Sequence, residues 1–240
     1  MSTTLGKKAT LFATIALACL CTTASAQNNR RENKERNPYA NRSYYRPVEK
    51  SRSFGTFYAE YNRMKMDAGT DQTPTYNGVS VGFSYFVPVV GGLGLNTGMK
   101  VQYFFRNEKE NIITWKDNLL AGTVPVDLAF DLRLGDKFSI IPYAGMYGRC
   151  NFSAKAAWEQ SGMNGRTSVN LFDSDQIDYY NSTFNTGLNK MKRFQFGWEA
   201  GAMVRLSEIV TIGGGYWHDL NKIAPSTKLH GFNVQLGVNF

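Results

Sequence analysis

His218 and Asp219 are adjacent in the chain and are its best candidates for proton-transfer chemistry. An imidazole oriented by a carboxylate can act as the general base that activates a serine nucleophile, as hydrolases and acyltransferases require. The loop predicted to follow this pair, 221–227, contains a single serine, Ser226, and the chain has only one other histidine, His230. Because no serine stands out as a nucleophile, we expect no enzymatic activity.

The sequence also offers little support for a metal site or for thiol chemistry. Asp173, Asp175 and Asp178 could hold Ca²⁺ through carboxylate oxygens, but their spacing lacks the glycine and the terminal glutamate of a calcium loop, so we interpret them as a solvated acidic loop. Two of the three cysteines lie within the first 21 residues, which leaves Cys150 alone. One cysteine forms neither an intramolecular disulfide nor a Cys-based metal cluster. We therefore predict no metal and no cofactor.

The first 26 residues have the pattern of a secretory signal peptide. Lys7 and Lys8 are followed by an apolar stretch over 9–21, and Ala24-Ser25-Ala26 provides a small-x-small cleavage motif. A single membrane anchor is the alternative, but the apolar stretch is too short for one. A lipid-modified cysteine is also disfavoured, because alanine stands where lipoproteins usually carry leucine. We expect Sec-type export and cleavage near Ala26.

The segment 27–53 carries most of the positive charge of the mature chain. It holds eight Lys and Arg residues against three Glu, with almost no aliphatic residues, which is typical of a disordered, solvated segment. A solvated spacer is the simpler interpretation, and an arm that contacts acidic lipid or glycan headgroups is the alternative. For an exported chain we expect no nucleic-acid partner.

From residue 54 onwards, apolar and polar residues alternate with a period of two, which indicates strands with two chemically different faces. Aromatic residues make up 14% of the chain and charged residues only 19%. Eight strands are predicted, over Phe54–Met66, Gly78–Tyr85, Leu93–Arg106, Val124–Leu134, Phe138–Phe152, Phe194–Arg205, Ile209–Leu220 and Phe232–Phe240.

The connections between these strands alternate in length. Short links at 87–92, 135–137 and 207–208 alternate with longer ones at 67–75, 107–118, 153–191 and 221–227. An even strand number with long connections at one end and short ones at the other is typical of transmembrane β-barrels.

The chemistry of the two faces favours the same architecture. The apolar face is long, nearly free of charge and rich in rings, while the other holds Gly, Ser, Asn and Gln with a few charges. A soluble sandwich or lipocalin-like barrel, the alternative, would turn its apolar face inward. An apolar face in lipid requires a closed sheet, so we predict an all-β, eight-stranded antiparallel up-and-down transmembrane β-barrel over residues 54–240. Interfacial aromatic girdles would be supplied by Tyr61, Tyr85, Tyr103, Trp198 and Tyr216.

Charged residues on the polar face should form a network inside the barrel. Unpaired charges in so narrow an interior would cost several kcal/mol each. We interpret the network as structural filling, with an ion gate or proton-linked switch as the alternative. Its predicted members are Glu60, Lys100, Asp127, Asp131, Arg133, Arg149, Glu199 and Arg205.

Three segments carry a resemblance to a known family. The stretches 124–128, 134–137 and 141–145 (VPVDL, LGDK and IPYAG) resemble the outer membrane β-barrel, porin-like and OmpA/OmpX-type, proteins of Bacteroidetes-type bacteria. The last strand also resembles the C-terminal signal by which the outer-membrane assembly machinery accepts a barrel, carried here by Val234, Leu236, Val238 and Phe240. The resemblance implies residence in the cell outer membrane of a Gram-negative bacterium, outer-membrane lipid and the assembly machinery as partners, and no shared enzymatic activity.

The long connection 153–191 is the best sequence candidate for a specific role, because loops of this length are usually functional or disordered. A surface glycan or protein could bind there through aromatic residues among polar ones, namely Trp158, Phe172, Tyr179, Tyr180 and Phe184. Simple extension of the flanking strands with a short cap is the alternative. We expect a structural or surface-interaction role. A narrow porin-like channel is the first alternative, and a lipid-modifying enzyme using His218 is the second.

Overall fold

The computed structural model describes residues 52–67, 74–110, 113–134, 137–160, 166–184 and 187–240. The predicted signal peptide, 1–26, and all but the last two residues of the predicted basic segment, 27–53, lie outside the described residues.

Ten strands and one helix are described, and strands dominate as predicted. The strands are β1 Phe54–Asp67, β2 Thr75–Val90, β3 Leu93–Glu110, β4 Ile113–Phe130, β5 Leu132–Arg133, β6 Phe138–Gln160, β7 Arg166–Asn170, β8 Phe194–Leu206, β9 Val210–Asp219 and β10 Lys228–Asn239. The helix, α1, spans Ser174–Phe184. Within the described ranges, no helix is both long enough and apolar enough to cross a membrane.

Eight of these strands form a closed antiparallel ring. β1 pairs with β2, β2 with β3, β3 with β4, β4 with β6, β6 with β8, β8 with β9, β9 with β10, and β10 with β1. β5 pairs with β6 just after the end of β4, and β7 pairs with the far end of β6. The predicted eight-stranded up-and-down barrel is therefore confirmed as the fold.

The register of the ring determines how far the strands tilt. A row of paired residues that starts at Lys65 runs through His230, His218 and Trp198 and continues around the barrel to Tyr85, which pairs with Gly55 on the first strand again. The row thus returns to β1 ten residues from its start. In an eight-stranded barrel such a stagger goes with a strand tilt of about 35–45° and an interior that side chains can fill.

The two ends of the barrel differ. At the end that carries Phe54 and Phe240, here called the termini end, the connections are tight; Gly91 and Gly92 take φ of 55° and 90° in the β2–β3 turn, a conformation that favours glycine. At the opposite end, here called the loop end, β3 and β4 continue as a hairpin. The predicted connection 107–118 is therefore wrong as a loop, because the ladder extends through Glu108 paired with Trp115.

The outward face of the barrel is an apolar surface, here called the outer belt. Along each strand, exposed residues alternate with buried ones; Val81 is 65% exposed whereas its neighbour Ser80 is 3% exposed. The outer belt includes Phe57, Val79, Val81, Leu95, Met99, Val101, Val126, Leu128, Met146, Phe196, Ile212, Tyr216, Phe232, Val234, Leu236 and Val238. The predicted assignment of the apolar face to the outside holds across the barrel.

The interior contains two apolar layers that the alternation pattern did not predict. The upper core, towards the loop end, is built from Met64, Tyr76, Phe104, Leu119, Tyr147, Ala154, Ala156, Leu171, Trp217, Ile223, Ala224 and Leu229. The lower core, towards the termini end, is built from Phe86, Ala129, Ile141 and Met203, with Phe54 and Tyr143 packed against it. Polar and charged side chains lie between these layers.

Close approach of neighbouring strands at Gly98 gives a first prediction. A Cβ at Gly98 would collide with the carbonyl oxygen of Phe83 and lie 2.7 Å from the Cα of Ser84, whereas a Cβ at the outward Gly148 would meet nothing within 4 Å. We expect Gly98→Ala to lower the free energy of unfolding by about 1–3 kcal/mol and Gly148→Ala to leave it nearly unchanged. Urea unfolding of the refolded barrel, followed by tryptophan fluorescence, measures both. Equal effects of the two variants would contradict the packing described here.

Candidate functional site

The lowest part of the interior charge network surrounds Asp131. The carboxylate of Asp131 lies 3.1 Å from the Nε of Arg133 and 3.4 Å from a guanidinium nitrogen of Arg205. Arg205 also donates to the Ser139 hydroxyl at 3.0 Å and lies over the ring of Phe54, 4.4 Å from its centroid. Three predicted interior residues are thus brought together at the termini end.

The middle of the network is centred on Lys100, which is buried with its ammonium between two carboxylates. The Nζ atom lies 3.4 Å from Glu60 and 3.7 Å from Glu199. The side chain of Asn233 donates a further hydrogen bond to Glu60 at 3.2 Å. Asp127, also buried, accepts a hydrogen bond from Asn96 at 3.4 Å. Desolvated charges of this kind are tolerated only where partners are close.

The upper part of the network pairs Arg149 with a residue that was not among the predicted members. The guanidinium of Arg149 forms an ion pair with Asp219, which also accepts a hydrogen bond from the Tyr147 hydroxyl. Arg149 lies 4.5 Å from the ring centroid of Trp217, within cation–π range. Nearer the loop end, Asp117 makes a similar pair with Arg106 at 2.7 Å.

The base and orienter considered above, His218 and Asp219, do not come together. Successive side chains of a strand point to opposite faces of the sheet, and both residues belong to β9. Asp219 is fully buried inside the barrel, whereas His218 lies on the outer face beside Trp198, with the ring centroids 6.3 Å apart. Ser226 lies at the loop end in the β9–β10 connection, where it takes φ of 61°. Asp219 therefore cannot orient His218 as a base.

The predicted assembly signal lies on the outer face next to the seam that closes the barrel. Val234, Leu236, Val238 and Phe240 are all exposed. Phe240 exchanges two backbone hydrogen bonds with Gly55, of 3.0 and 2.9 Å, and stacks on Phe57 with ring centroids 4.8 Å apart. The terminal residue thus holds the end of the β1–β10 pairing.

The long connection 153–191 is mostly regular structure. β6 continues to Gln160, β7 pairs back onto it, and α1 follows. Asp173 caps α1, since its carboxylate accepts hydrogen bonds from the backbone N–H groups of Asp175 at 3.1 Å and Gln176 at 3.4 Å. Capping gives Asp173 a structural role, and Asp175 and Asp178 lie on α1 rather than in the loop expected above.

Three of the five predicted loop aromatics come together with a fourth ring, and we call this set the aromatic cluster: Trp115, Trp158, Tyr179 and Tyr180. Ring centroids lie 5.9 Å apart for Trp115–Trp158, 5.7 Å for Trp158–Tyr180 and 5.3 Å for Tyr179–Tyr180. Tyr179 is 59% exposed. The other three rings are half-buried, so Tyr179 is the most exposed ring of the cluster at the loop end.

The other two loop aromatics do not join the cluster. Phe172 packs against the upper core, and the guanidinium of Arg193 lies 4.2 Å from its ring centroid. The side chain of Phe184 lies outside the described residues. Trp115 was missed because it lies in the predicted connection 107–118. The run of β-favouring residues at 112–115 (IITW) is the signal that could have revealed a strand there.

Arg106 borders the aromatic cluster on its own face of the sheet. Its guanidinium lies 5.7 Å from the ring centroid of Trp115. Lys116 and Glu159 form a half-exposed ion pair of 2.7 Å, but each follows a tryptophan along its strand and therefore lies on the opposite face. Rings bordered by a guanidinium donor suit contact with a polar ligand that also offers apolar surface.

Comparison with known proteins adds only remote structural likeness. No protein-family model matches the chain, and no curated protein matches it. Among solved structures, the attachment invasion locus protein Ail of Yersinia pestis is 12% identical with a TM-score of 0.46, covering 79% of this chain and 100% of that one. Neisserial surface protein A is 11% identical with a TM-score of 0.43, covering 77% and 95%. The outer membrane enzyme PagL is 10% identical with a TM-score of 0.39, covering 76% and 98%. Likeness this remote carries no argument about activity.

The buried position of Lys100 gives a second prediction. Lys100→Met leaves Glu60 and Glu199 buried without their cation, so we expect a loss of about 3–5 kcal/mol in the free energy of unfolding. Lys116→Met, which breaks the half-exposed pair with Glu159, should cost less than about 1 kcal/mol. Equilibrium unfolding of both variants under identical conditions provides the comparison. A cost for Lys100→Met as small as that for Lys116→Met would contradict the buried network.

Proposed function

We propose that the chain is a small outer-membrane β-barrel protein with a non-enzymatic structural or surface-interaction role. The observation that supports this most strongly is the outer belt, in which exposed large hydrophobic residues continue around a closed barrel. Apolar surface of this extent is rare on soluble monomers and typical of contact with a membrane. The predicted signal peptide and the C-terminal residues of β10 support export and insertion into the outer membrane.

The filling of the interior supports a plugged barrel rather than the narrow channel kept as an alternative. Along β1, Phe54 belongs to the lower core, Glu60 to the charged middle and Met64 to the upper core. Along β3, the charged Lys100 is followed by Phe104 of the upper core. The central charges around Lys100 are therefore held between apolar layers, an arrangement that excludes hydrated ions more effectively than a polar lumen does.

The aromatic cluster supports a contact role at the loop end. In an outer-membrane barrel the longer connections face the cell exterior, which would present Trp115, Trp158, Tyr179 and Tyr180 to a surface glycan or protein. Tyr and Trp rings are enriched in binding surfaces because each covers a large area with little loss of side-chain freedom.

Conductance tests the plugged interior. We expect the purified barrel to migrate faster on a detergent gel before boiling than after it, as a folded barrel does, and to give no sustained conductance steps in planar bilayers. Folded protein that conducts in steady ohmic steps would contradict the plugged interior and favour the channel. Protein that stays water-soluble and monomeric without detergent would contradict membrane residence altogether.

Contact through the aromatic cluster is tested by removing one exposed ring. The barrel in nanodiscs is applied to arrays of immobilised bacterial and host glycans and surface proteins, and retention is compared with that of Tyr179→Ala and of Lys222→Ala, an exposed control in the β9–β10 connection. We expect Tyr179→Ala to weaken retention about tenfold or more, as loss of a hot-spot aromatic does, without changing unfolding. If Tyr179→Ala is retained on the arrays as well as Lys222→Ala, a contact role for the cluster is contradicted.

A further inference from the structure

Four side chains that can carry positive charge lie together on the outer face near the loop end, and we call them the basic patch: Arg63, Lys65, His218 and His230. Lys65 pairs with His230 across the β1–β10 seam, and His230 pairs with His218 across β10 and β9. Residues paired in an antiparallel sheet point to the same face. Arg63 lies two residues from Lys65 on β1 and therefore shares that face as well.

The basic patch is continuous with the outer belt. Arg63 pairs with Phe232, which pairs with Tyr216, and both aromatic residues are exposed members of the belt. The imidazole of His230 lies 6.2 Å from the Tyr216 ring centroid, and the two imidazoles lie 5.9 Å apart. The patch thus begins where the apolar surface ends, with no polar zone between them.

The two permanent charges of the patch are not neutralised by the part of the chain that the structure describes. Arg63 and Lys65 are both exposed, and neither forms an ion pair with another described residue. Asp67 shares this face two residues beyond Lys65, further towards the loop end, where it is paired in register with Lys228. Exposed cations at the border of an apolar belt are well placed to bind an anionic group at the same level of the membrane.

We propose that the basic patch binds the phosphate group of a membrane-lipid headgroup in the leaflet at the loop end. This inference rests on the proposed membrane residence of the barrel. A guanidinium binds phosphate oxygens in a bidentate manner, an ammonium adds a point charge, and an imidazole donates at least one N–H in either protonation state. A phosphate attached to acyl chains fits this position because its chains pack on Phe232 and Tyr216 while its charge meets Arg63 and Lys65.

Native mass spectrometry of the full folded barrel tests the site, with phosphatidic acid as the probe and phosphatidylcholine as its zwitterionic counterpart. We expect the first phosphatidic acid to bind on the order of tenfold more tightly than phosphatidylcholine, and Arg63→Gln with Lys65→Gln to abolish most of that preference. The matched control, Lys109→Gln with Lys137→Gln, removes the same charge from exposed positions elsewhere and should keep the preference for phosphatidic acid. Millimolar inorganic phosphate should fail to displace the lipid.

Several outcomes would overturn the proposal. No preference for phosphatidic acid in the wild-type barrel, or equal loss of preference in both double variants, would show that the patch is not a site. Displacement by inorganic phosphate would show that a soluble anion, not a lipid, is the ligand. Folding of each protein is established separately by its heat-modifiable gel migration, and membrane residence by its failure to stay soluble without detergent, so a failure of membrane residence is distinguished from a failure of this site.

Discussion

Closure of the β1–β10 seam is the constraint on which the rest of the structure depends. A sheet with one apolar face towards lipid cannot leave an edge open, because unpaired N–H and C=O groups in hydrocarbon cost several kcal/mol each. The chain meets this requirement by pairing its first barrel strand with its last, from Thr56–Asn239 to Asp67–Lys228. Phe240 extends the seam by exchanging backbone hydrogen bonds with Gly55.

An eight-stranded barrel that closes with a ten-residue stagger has a narrow interior, which side chains must fill. The residues found there are those that can pack or pair within that space. Charges such as Lys100 are accommodated because carboxylates on facing strands, Glu60 and Glu199, reach the same point. The rings of Phe86 and Phe104 fill the space on either side of this charged layer. The same alternation that gives the barrel a lipid-compatible exterior thus directs its polar groups into the enclosed interior, where their partners come from distant parts of the chain.

Fold and orientation could be predicted from the sequence because both follow from a period of two, which is local information. Pairings between strands could not, because they depend on register: Arg149 meets Asp219 only once β6, β8 and β9 are aligned. Linking His218 to Asp219 treated sequence neighbours as spatial partners, although strand alternation already places them on opposite faces. Trp115 was not predicted because the apolar–polar alternation is weak where the β3–β4 hairpin extends beyond the outer belt. Its partner Trp158 also lies on another strand.

The central claim, that the apolar face meets lipid while the polar face is enclosed, is tested most directly by two native tryptophans. Trp198 is outward and 38% exposed, whereas Trp217 is inward and 3% exposed. Variants that keep only one of these tryptophans, with Phe at the other three positions, are reconstituted in vesicles of lipid brominated along its acyl chains, a quencher of tryptophan fluorescence. We expect strong quenching of Trp198 and little quenching of Trp217. Quenching of Trp217 with Trp198 unaffected would contradict the central claim.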